Sequence, residues 1–315
     1  MNFKSLIQLL DYFKDEETCI EYYERIRWGN EPACPHCGCV NPYKTNRGWK
    51  CRDKECHKKF TVKVGTIFEN SKISFRIWFA AIYLATTSKK GISSVQLATQ
   101  LNITQKTAWF VLHRIREMLK EKSPKMLGEN KMVEVDEAYI GGKEKNKHRN
   151  KRRSEENLEL TNEGKPYKPK KVIVGLIERN GKVLLKYVPR ADAQNMVSFI
   201  KKHVPEKSTI YSDQATVYKQ LHKTYTHDSV NHALSVYVEG DVHTNTIENF
   251  WSILKRGIYG IYHQVSDKHI SRYLDEFAAR FNTRDLTPQE RFDGFLADSE
   301  SVLGYKTLTE NNLSA

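Results

Sequence analysis

The spacing of apolar residues predicts helices in the N-terminal part of the chain. Apolar positions at helical spacing make residues 3–26 one amphipathic helix, and residues 75–88 form a mostly apolar helix. Two further helices follow around a short turn, with Ser93 or Ser94 capping the first and Thr104 capping the second. The second of them carries a predicted buried stripe of Ala108, Leu112, Ile115 and Leu119. Two helices in this arrangement are typical of a helix-turn-helix, whose second helix faces the major groove of DNA.

From residue 132 onward the apolar period changes to that of β-strands. Residues 132–142 alternate as a short strand that presents valines to one face and the acids Glu134 and Asp136 to the other. Residues 172–188 form a hairpin around a predicted two-residue Asn180-Gly181 turn. Four more elements are predicted: a helix at 191–204, a strand ending at Asp213, a strand at 235–241 and a helix at 245–260. This order predicts a mixed α/β sheet layered by helices.

All six cysteines lie at or before residue 56, which indicates a metal site in a chain whose N-terminus does not read as a secretion signal. Cys34 and Cys37 make one knuckle, Cys51 and Cys56 a second, and together they supply four thiolates for one tetrahedral zinc ion. The four-residue gap in the second knuckle is wider than usual. The alternatives Cys39 and His57 therefore stay open as ligands. A zinc ion would fold a ribbon too small to fold alone.

The charge of the chain is uneven. Its 315 residues include 51 Lys and Arg against 38 Asp and Glu, a net charge of +13, which favours an anionic partner and above all nucleic acid. Residues 71–131 hold 11 basic and 3 acidic side chains, whereas residues 172–315 hold 17 of each. We expect the second helix of the helix-turn-helix to contact DNA through Gln105, Lys106, Thr107, Arg114 and Arg116. No apolar run is long enough to span a membrane.

Three acidic positions in the neutral half suggest chemistry on a phosphodiester. Asp136 and Asp213 are each predicted at the end of a strand, and Glu248 shares the polar stripe of the late helix with Lys255. Carboxylates from separate elements suit a pair of divalent ions such as Mg²⁺. On spacing alone the structural alternative remains open: a solvated acid, a helix cap, and half of a surface pair with Arg256 or Lys255.

Long blocks of the sequence resemble bacterial insertion-sequence transposases that carry an N-terminal zinc ribbon. The resemblance runs from about Trp28 to Arg291 and includes CPHCG and GTIF near the ribbon. Its three strongest blocks are VEVDEAYIGGK, IYSDQATVY and VHTNTIENFWSILKRGIYGIYHQVSDKHISRYLDEF. The family has an RNase H-like DDE catalytic domain. The resemblance therefore implies an α+β multidomain protein with a zinc ribbon, a helical helix-turn-helix domain and an RNase H-like mixed α/β catalytic domain.

The resemblance also implies roles for individual residues. It makes Asp136 and Asp213 the two metal-binding aspartates and Glu248 the third acid, which together hold Mg²⁺ or Mn²⁺. Lys255 matches a lysine seven residues after that acid and is expected, with Arg256, to hold DNA. Some relatives use asparagine for the third ligand, which leaves two less favoured substitutes, Asn245 and Asn249. His243 is expected either to hydrogen-bond within the cleft or to be structural.

The predicted domains are an N-terminal helix (1–28), the zinc ribbon (29–70), the helix-turn-helix domain (71–131), the DDE domain (132–292) and a C-terminal tail (293–315). Within the DDE domain, the insert 143–171 carries 11 basic residues and no hydrophobic period. It is expected either to grip flanking DNA or to be a solvated loop.

The leading hypothesis is a transposase that binds the terminal inverted repeats of its element, cleaves the ends and joins the 3′-hydroxyls to target DNA. Its partners would be double-stranded DNA and further copies of itself in a synaptic complex, and its location cytoplasmic and nucleoid-associated. Two other hypotheses remain. One is a zinc-ribbon, helix-turn-helix regulator with an inactive RNase H-like domain, and the other is a hydrolytic nuclease that never joins strands.

Overall fold

The computed structural model of the chain describes residues 3–29, 31–121, 124–129, 131–141, 170–213, 216–230 and 243–310. It divides into two compact units, one formed by Met1–Glu121 with Asp275–Ala315 and the other by Lys122–Leu274. The segment after residue 274 thus belongs with the N-terminal unit, whereas the sequence predicts a boundary after 292. The predicted strand at 235–241 and the insert 143–171, except for its last two residues, lie outside the described residues.

The first unit begins with two helices, α1 (Leu6–Tyr12) and α2 (Glu16–Trp28). The single helix predicted over 3–26 is therefore wrong. The chain leaves the helical conformation after Tyr12, and Asp15 starts a new helix because its carboxylate accepts a hydrogen bond from the Thr18 N–H at 2.8 Å. Phe13, at the break, is fully buried and packs edge-on against the ring of Phe79. Burial of this aromatic side chain thus accompanies the interruption of the helical period.

A small three-stranded antiparallel sheet follows, made of β1 (Tyr43–Thr45), β2 (Gly48–Lys50) and β3 (Lys59–Phe60). Its central strand carries Trp49, whose indole N–H donates to the Glu24 carboxylate of α2 at 2.6 Å. The ribbon is therefore tied to the preceding helix by a side-chain hydrogen bond as well as by the chain itself.

The helices predicted in the next segment are confirmed: α3 (Phe75–Thr87), α4 (Ser94–Leu101) and α5 (Gln105–Met118). Ser93 caps α4 and Thr104 caps α5, and the intervening turn is closed by Asn102 in the left-handed conformation. The predicted stripe of α5 is buried. It packs against α4 and α3, and α3 in turn contacts the C-terminal helix α9 (Pro288–Ala297).

The second unit contains a five-stranded mixed sheet. Its strands are β4 (Val133–Ile140), β5 (Lys171–Glu178), β6 (Val183–Val188), β7 (Thr209–Asp213) and β8 (Thr226–Val230), in the spatial order β6-β5-β4-β7-β8. The first three strands pair antiparallel, whereas β7 lies parallel to β4 and β8 lies parallel to β7. The predicted mixed α/β sheet is confirmed.

Helices cover the sheet of the second unit. They are α6 (Ala193–His203), a 3₁₀ segment (Thr216–Lys223) and α7 (Asn245–Gly257), which continues as a π-turn (Ile258–Tyr262). Helix α8 (Asp267–Asn282) and the short α10 (Tyr305–Thr309) complete the elements of the described chain. No helix in the described ranges is long and apolar enough to cross a bilayer.

Alternation along β4 decides which side chains face which helix. Val133 and Val135 pack into the core that also contains residues of α6, whereas Glu134 and Asp136 contact α7. Asp136 lies in the middle of β4 rather than at its end, because pairing with β5 continues as far as Ile140. The predicted alternation is thus confirmed, and the predicted strand end is not.

The β5–β6 hairpin differs slightly from its predicted form. Asn180 has the positive φ (56°) expected of this turn, but the loop has three residues because Glu178 N–H donates to the Lys182 carbonyl at 2.9 Å. The extra loop residue is Arg179, and its side chain hydrogen-bonds to Glu134 of β4. Its backbone N–H donates to the Met132 carbonyl at 3.0 Å.

Close packing of α7 on the sheet predicts the effect of a single methyl group. A Cβ at Gly175, which pairs with Asp136 in the sheet, would lie 2.6 Å from Trp251 Cη2 and 3.1 Å from Ile247 Cδ1. We expect Gly175→Ala to lower the free energy of unfolding by about 1–3 kcal/mol because α7 must shift. Urea denaturation followed by circular dichroism measures the change.

Gly294→Ala is the matched control. Gly294 lies inside α9, where a Cβ meets nothing within 4 Å, so the same substitution should stabilise by about 0.5–1 kcal/mol. Equal effects of the two substitutions would contradict the packing of Trp251 on Gly175.

Candidate catalytic site and zinc centre

Four cysteine side chains converge in the ribbon. The Sγ atoms of Cys34, Cys37, Cys51 and Cys56 all lie within 4.8 Å of one another, and no disulfide joins them. Two of the Sγ–Sγ distances are 3.9 Å (Cys34 to Cys56) and 3.5 Å (Cys37 to Cys51). The four are the cysteines that the sequence favours as ligands. Neither alternative, Cys39 or His57, belongs to the converging set.

This cluster fits zinc. A tetrahedral ion with Zn–S bonds of about 2.3 Å requires Sγ–Sγ distances of about 3.8 Å, close to those observed. The turn of the second knuckle is stabilised by Asp53, whose carboxylate accepts from the N–H groups of Glu55 and Cys56 at 2.7 and 3.2 Å. This Asp-centred turn accommodates the wider spacing between Cys51 and Cys56.

A buried carboxylate holds the N-terminus of α7. Glu134 is 0% exposed, and its Oε2 accepts hydrogen bonds from the N–H groups of Thr246 (2.9 Å) and Ile247 (3.0 Å). Its Oε1 accepts from the Thr246 hydroxyl (2.9 Å) and from Arg179 Nε (2.8 Å). The N-cap residue itself, Thr244, makes no side-chain capping bond. Strand β4 therefore supplies the cap that α7 lacks, and the positive end of the helix stabilises the carboxylate.

Arg179 balances the charge of this buried acid and extends the network. Its Nη2 donates to the His243 carbonyl at 3.0 Å, and its guanidinium lies over the Tyr211 ring at 4.9 Å. The His243 ring is also near, with Nδ1 3.5 Å from Glu134 Oε1. A hydrogen-bonded partner for a buried carboxylate offsets its desolvation. His243 thus belongs to the network that anchors α7.

The strand register brings Asp136 and Asp213 together. β4 and β7 run parallel, and their register pairs Val133 with Ile210 and Glu134 with Tyr211, the residues that precede Asp136 and Asp213 by two positions in each strand. Asp136 Oδ2 accepts a hydrogen bond from Trp251 Nε1 of α7 at 2.9 Å. Burial is the largest cause of a pKa of about 7 for Asp136; the charges of Glu137 and Asp213 act in the same direction, and its hydrogen bonds oppose them.

A fourth acid, Glu137, lies next to this pair and was not singled out from the sequence. Its Oε2 accepts a hydrogen bond from the hydroxyl of the buried Tyr218 at 2.7 Å. Burial raises the pKa of Glu137, and the charge of Asp213 contributes in the same direction. Its position directly after Asp136 was the available signal. Three acids are therefore crowded at this part of the sheet.

Glu248 lies in the first turn of α7, on the polar stripe predicted for this helix. It is exposed, and its Oε1 accepts a hydrogen bond from the Thr244 hydroxyl at 3.0 Å. Asn245, Asn249, Lys255 and Arg256 are also exposed on α7, whereas its apolar stripe is buried. Arg256 Nη2 donates to the Ser252 hydroxyl at 2.6 Å. The helix thus presents one acid and two cations on its outer surface.

The predicted DNA contacts on α5 separate into two groups. Gln105 and Lys106 are exposed and Thr107 is half-buried, all in the first turn of the helix. Arg114 is buried instead, and its guanidinium donates to the carbonyls of Leu303, Ile67 and Glu69 at 3.1, 2.9 and 2.8 Å. These three internal carbonyls take the donors that a phosphate would need. Arg114 therefore stabilises the unit and does not face DNA.

Arg116 is the second correction on this helix. Its Nε donates to Glu276 Oε2 at 2.6 Å, and each side chain is 2% exposed. Arg280 pairs with the other oxygen of Glu276. Part of the positive charge counted in residues 71–131 is therefore neutralised inside the protein and cannot act on a polyanion.

The donor set of the candidate catalytic site fits Mg²⁺, which prefers carboxylate oxygens and few protein ligands. A raised pKa of Asp136 amid neighbouring acids also indicates a place where a cation would favour the ionised form. In the described part of the chain the three carboxylates of Asp136, Asp213 and Glu248 do not converge within 4.8 Å as the four cysteines do.

Two family models match the chain, one over the ribbon and one over most of the second unit. Residues 126–282 match the ISXO2-like transposase domain, and residues 14–59 match the transposase zinc-ribbon domain. The chain belongs to the family of insertion-sequence transposases that combine these two domains. The predicted family and the mixed α/β fold with a zinc ribbon are thereby confirmed.

Two relatives are similar over different lengths. A protein of Halobacterium salinarum described as an "Uncharacterized protein in transposable element ISH50" is 27% identical over 277 residues, 85% of this chain and 91% of its own length. An "Uncharacterized transposase-like protein" of Haemophilus influenzae is 28% identical over 109 residues, 34% of this chain and 87% of its own length.

Similar solved structures include the Mos1 strand transfer complex, with 14% identity, a TM-score of 0.29 and coverage of 72% of this chain and 79% of that one. The mariner Mos1 paired-end complex with Mg gives 13% identity, a TM-score of 0.28 and coverage of 72% and 80%.

The ribbon predicts a defined response to loss of a ligand. Cys51→Ser should reduce bound zinc from about one ion per chain to a small fraction of that, because a tetrahedral site loses most of its affinity with one thiolate. Zinc is measured by mass spectrometry of the purified protein, and loosening of the ribbon by the fluorescence of Trp49. Cys39→Ser, the matched control, should retain zinc. Zinc loss in the control and retention in Cys51→Ser would contradict the assigned ligands.

The raised pKa of Asp136 predicts a pH-dependent stability. Between about pH 4 and 7 the folded protein holds a proton on Asp136 that the unfolded chain has released, so stability falls as the pH rises through this range. Without divalent ions, Asp136→Asn should therefore raise the Tm at pH 8 by roughly 2–8 °C, for an effect of about 1–2 kcal/mol, and much less at pH 4. The Asn side chain can still accept from Trp251.

Scanning calorimetry across this pH range measures the difference. The exposed Asp228→Asn on β8 serves as the control and should shift the Tm little at any pH. A pH-independent difference between wild type and Asp136→Asn would rule out the titration of Asp136 as its cause.

Proposed function

We propose that the protein is a DNA transposase that binds the terminal inverted repeats of its insertion sequence, cleaves the element ends and joins their 3′-hydroxyls to target DNA. The observation that carries this proposal is the parallel register of β4 and β7, in which Asp136 and Asp213 each follow two residues after the paired Glu134 and Tyr211. Helix α7, which bears Glu248, is anchored to β4 by Glu134. The family of the chain supports the same activity.

In this proposal Asp136, Asp213 and Glu248 are the ligands of Mg²⁺ or Mn²⁺. Bound divalent ions would lower the pKa of an attacking water or 3′-hydroxyl and stabilise the leaving oxygen. The protein's own contribution is to fix the carboxylates before DNA arrives. Trp251 orients Asp136 through its indole N–H, and Thr244 orients Glu248 through its hydroxyl. Positioning of this kind is a large part of catalysis in phosphoryl transfer.

DNA would be held by separate surfaces of the two units. In the first unit, Gln105, Lys106 and Thr107 would enter the major groove from the first turn of α5. In the second, Lys255 and Arg256 project from the helix that carries Glu248 and would hold backbone phosphates beside the reacting bond. Such contacts release counterions, so binding should weaken steeply with salt.

Joining two element ends requires two active sites, so the proposed functional form is a homo-oligomer in a synaptic complex with repeat and target DNA. Its place of action would be the cytoplasm, on the nucleoid. The zinc ion of the ribbon would act by folding that segment. Phosphodiester chemistry would stay with the carboxylates of the second unit.

Substitution of one aspartate tests the catalytic assignment. Asp213→Ala should leave binding of repeat-end duplexes within about twofold of wild type but lower Mg²⁺-dependent nicking by at least about a thousandfold, because a carboxylate ligand is removed from the reacting centre. The repeat ends are located by footprinting the protein on DNA flanking its own gene. Asp228→Ala, an exposed acid in the same sheet, is the control and should cleave normally.

The outcomes separate the competing functions. Undiminished nicking by Asp213→Ala would refute the site. DNA binding without nicking by the wild type would favour a regulator with an inactive RNase H-like domain. Nicking without joining of a pre-cleaved 3′-end to a target duplex would favour a hydrolytic nuclease.

A further inference from the structure

The C-terminal segment 303–309 lies against the second helix of the helix-turn-helix, within the same compact unit. The Leu303 carbonyl accepts a hydrogen bond from the buried Arg114 Nε at 3.1 Å. Leu303 and Leu308 are both buried, on either side of the exposed Tyr305 and Lys306. The Arg114 hydrogen bond therefore ties this segment to α5, and the burial of both leucines holds it within the unit.

Tyr305 makes the contact with the outer face of α5. Its ring centroid lies 5.4 Å from that of Phe110 and 6.4 Å from that of Trp109, both edge-on. The Lys106 ammonium lies over the Tyr305 ring, 5.1 Å from its centroid. Tyr305 nevertheless keeps 37% of its surface exposed. The tyrosine thus supports a lysine at the N-terminal turn of the helix and still faces solvent.

The covered face is the one that a helix-turn-helix ordinarily turns to DNA. Lys106, Trp109, Phe110 and His113 recur at i, i+3, i+4 and i+7, opposite the buried stripe of α5. Trp109 and Phe110 are half-buried and His113 is fully buried, so the face is open only in its first turn. A duplex that meets α5 at this turn would also meet Tyr305 and Lys306.

We propose that segment 303–309 is a built-in part of the DNA-contact surface, in which Tyr305 and Lys306 join Lys106 on the phosphate backbone of duplex DNA. The inference rests on the proposed function, since it takes α5 as the DNA-reading helix. Two exposed lysines flank the tyrosine, and the first turn of α5 contains no acid. The positive end of that helix attracts the same phosphates.

A displaceable flap that blocks α5 until DNA arrives would cover the same face. The anchoring favours a fixed element instead, because release of the segment would expose Leu303 and Leu308 and leave a donor of Arg114 without its carbonyl. The two arrangements predict opposite changes in DNA affinity when Tyr305 is substituted. Removal of the Tyr305 ring weakens DNA binding if the segment contacts DNA and strengthens it if the segment is a flap.

The experiment measures binding of a fluorescent duplex of about 40 base pairs, taken from the footprinted DNA beside the gene, without divalent ions and over a series of salt concentrations. Tyr305→Leu keeps apolar contact with Phe110 but removes the aromatic face, and should weaken binding about five- to tenfold. Tyr305→Phe keeps the ring and should bind within about twofold of wild type. Weaker DNA binding by Tyr305→Leu but not by Tyr305→Phe identifies the aromatic ring as the cause.

Lys306→Ala gives a second readout that does not depend on packing, because Lys306 is exposed. Loss of one phosphate contact should lower the slope of log affinity against log salt by about 1. Lys202→Ala, which removes an exposed lysine of α6, is the charge-matched control and should leave the slope unchanged.

If the wild type binds the duplex, unchanged or tighter binding by Tyr305→Leu together with an unchanged salt slope for Lys306→Ala would overturn the inference. Failure of the wild type to bind any duplex would instead refute the proposed function. Circular dichroism of each variant confirms that it is folded. If Tyr305→Leu does not fold, the salt slope of Lys306→Ala decides the question alone.

Discussion

The buried carboxylate of Glu134 is the interaction on which the second unit depends. It accepts two backbone N–H groups from the start of α7, a hydroxyl and an Arg179 donor, all without exposure to solvent. A charge in such a place is tolerated only when hydrogen bonds and a cation replace its lost water. That requirement fixes the first turn of α7 on β4. Glu248 lies in this same turn, so a structural cap also determines where a candidate catalytic acid stands.

The acids near this face of β4 lower the stability of the folded protein when no cation is bound. Asp136 lies two residues after Glu134, and the absence of a side chain at Gly175 lets Trp251 approach closely enough to bond its carboxylate. Burial and neighbouring acids raise the pKa of Asp136, and burial also raises that of Glu137. Acids crowded in this way destabilise a protein without cations. This loss of folding stability is consistent with carboxylates arranged to bind divalent ions rather than to stabilise the fold.

The basic residues counted along the sequence of the first unit are not all exposed on its surface. The block 71–131 is strongly basic, yet Arg114 is buried on three carbonyls and Arg116 is paired with Glu276. These arginines bind the C-terminal segments to α5, and Lys106 is the cation that stays exposed in its first turn. Long side chains with fixed donors suit such internal bridges. The local excess of basic residues is therefore only an upper limit on the positive charge that this unit exposes to a partner.

Local signals in the sequence determined the elements and the ligand types of this protein. Cysteine spacing identified the four converging thiolates, capping serine and threonine marked α4 and α5, and alternation assigned the faces of β4. The break at Phe13, the capping of α7 by Glu134 and the burial of Arg114 were decided only by the tertiary structure. Each depends on partners more than 40 residues away in the chain. Periodicity records which side of an element is apolar, but not which distant group will meet its polar side.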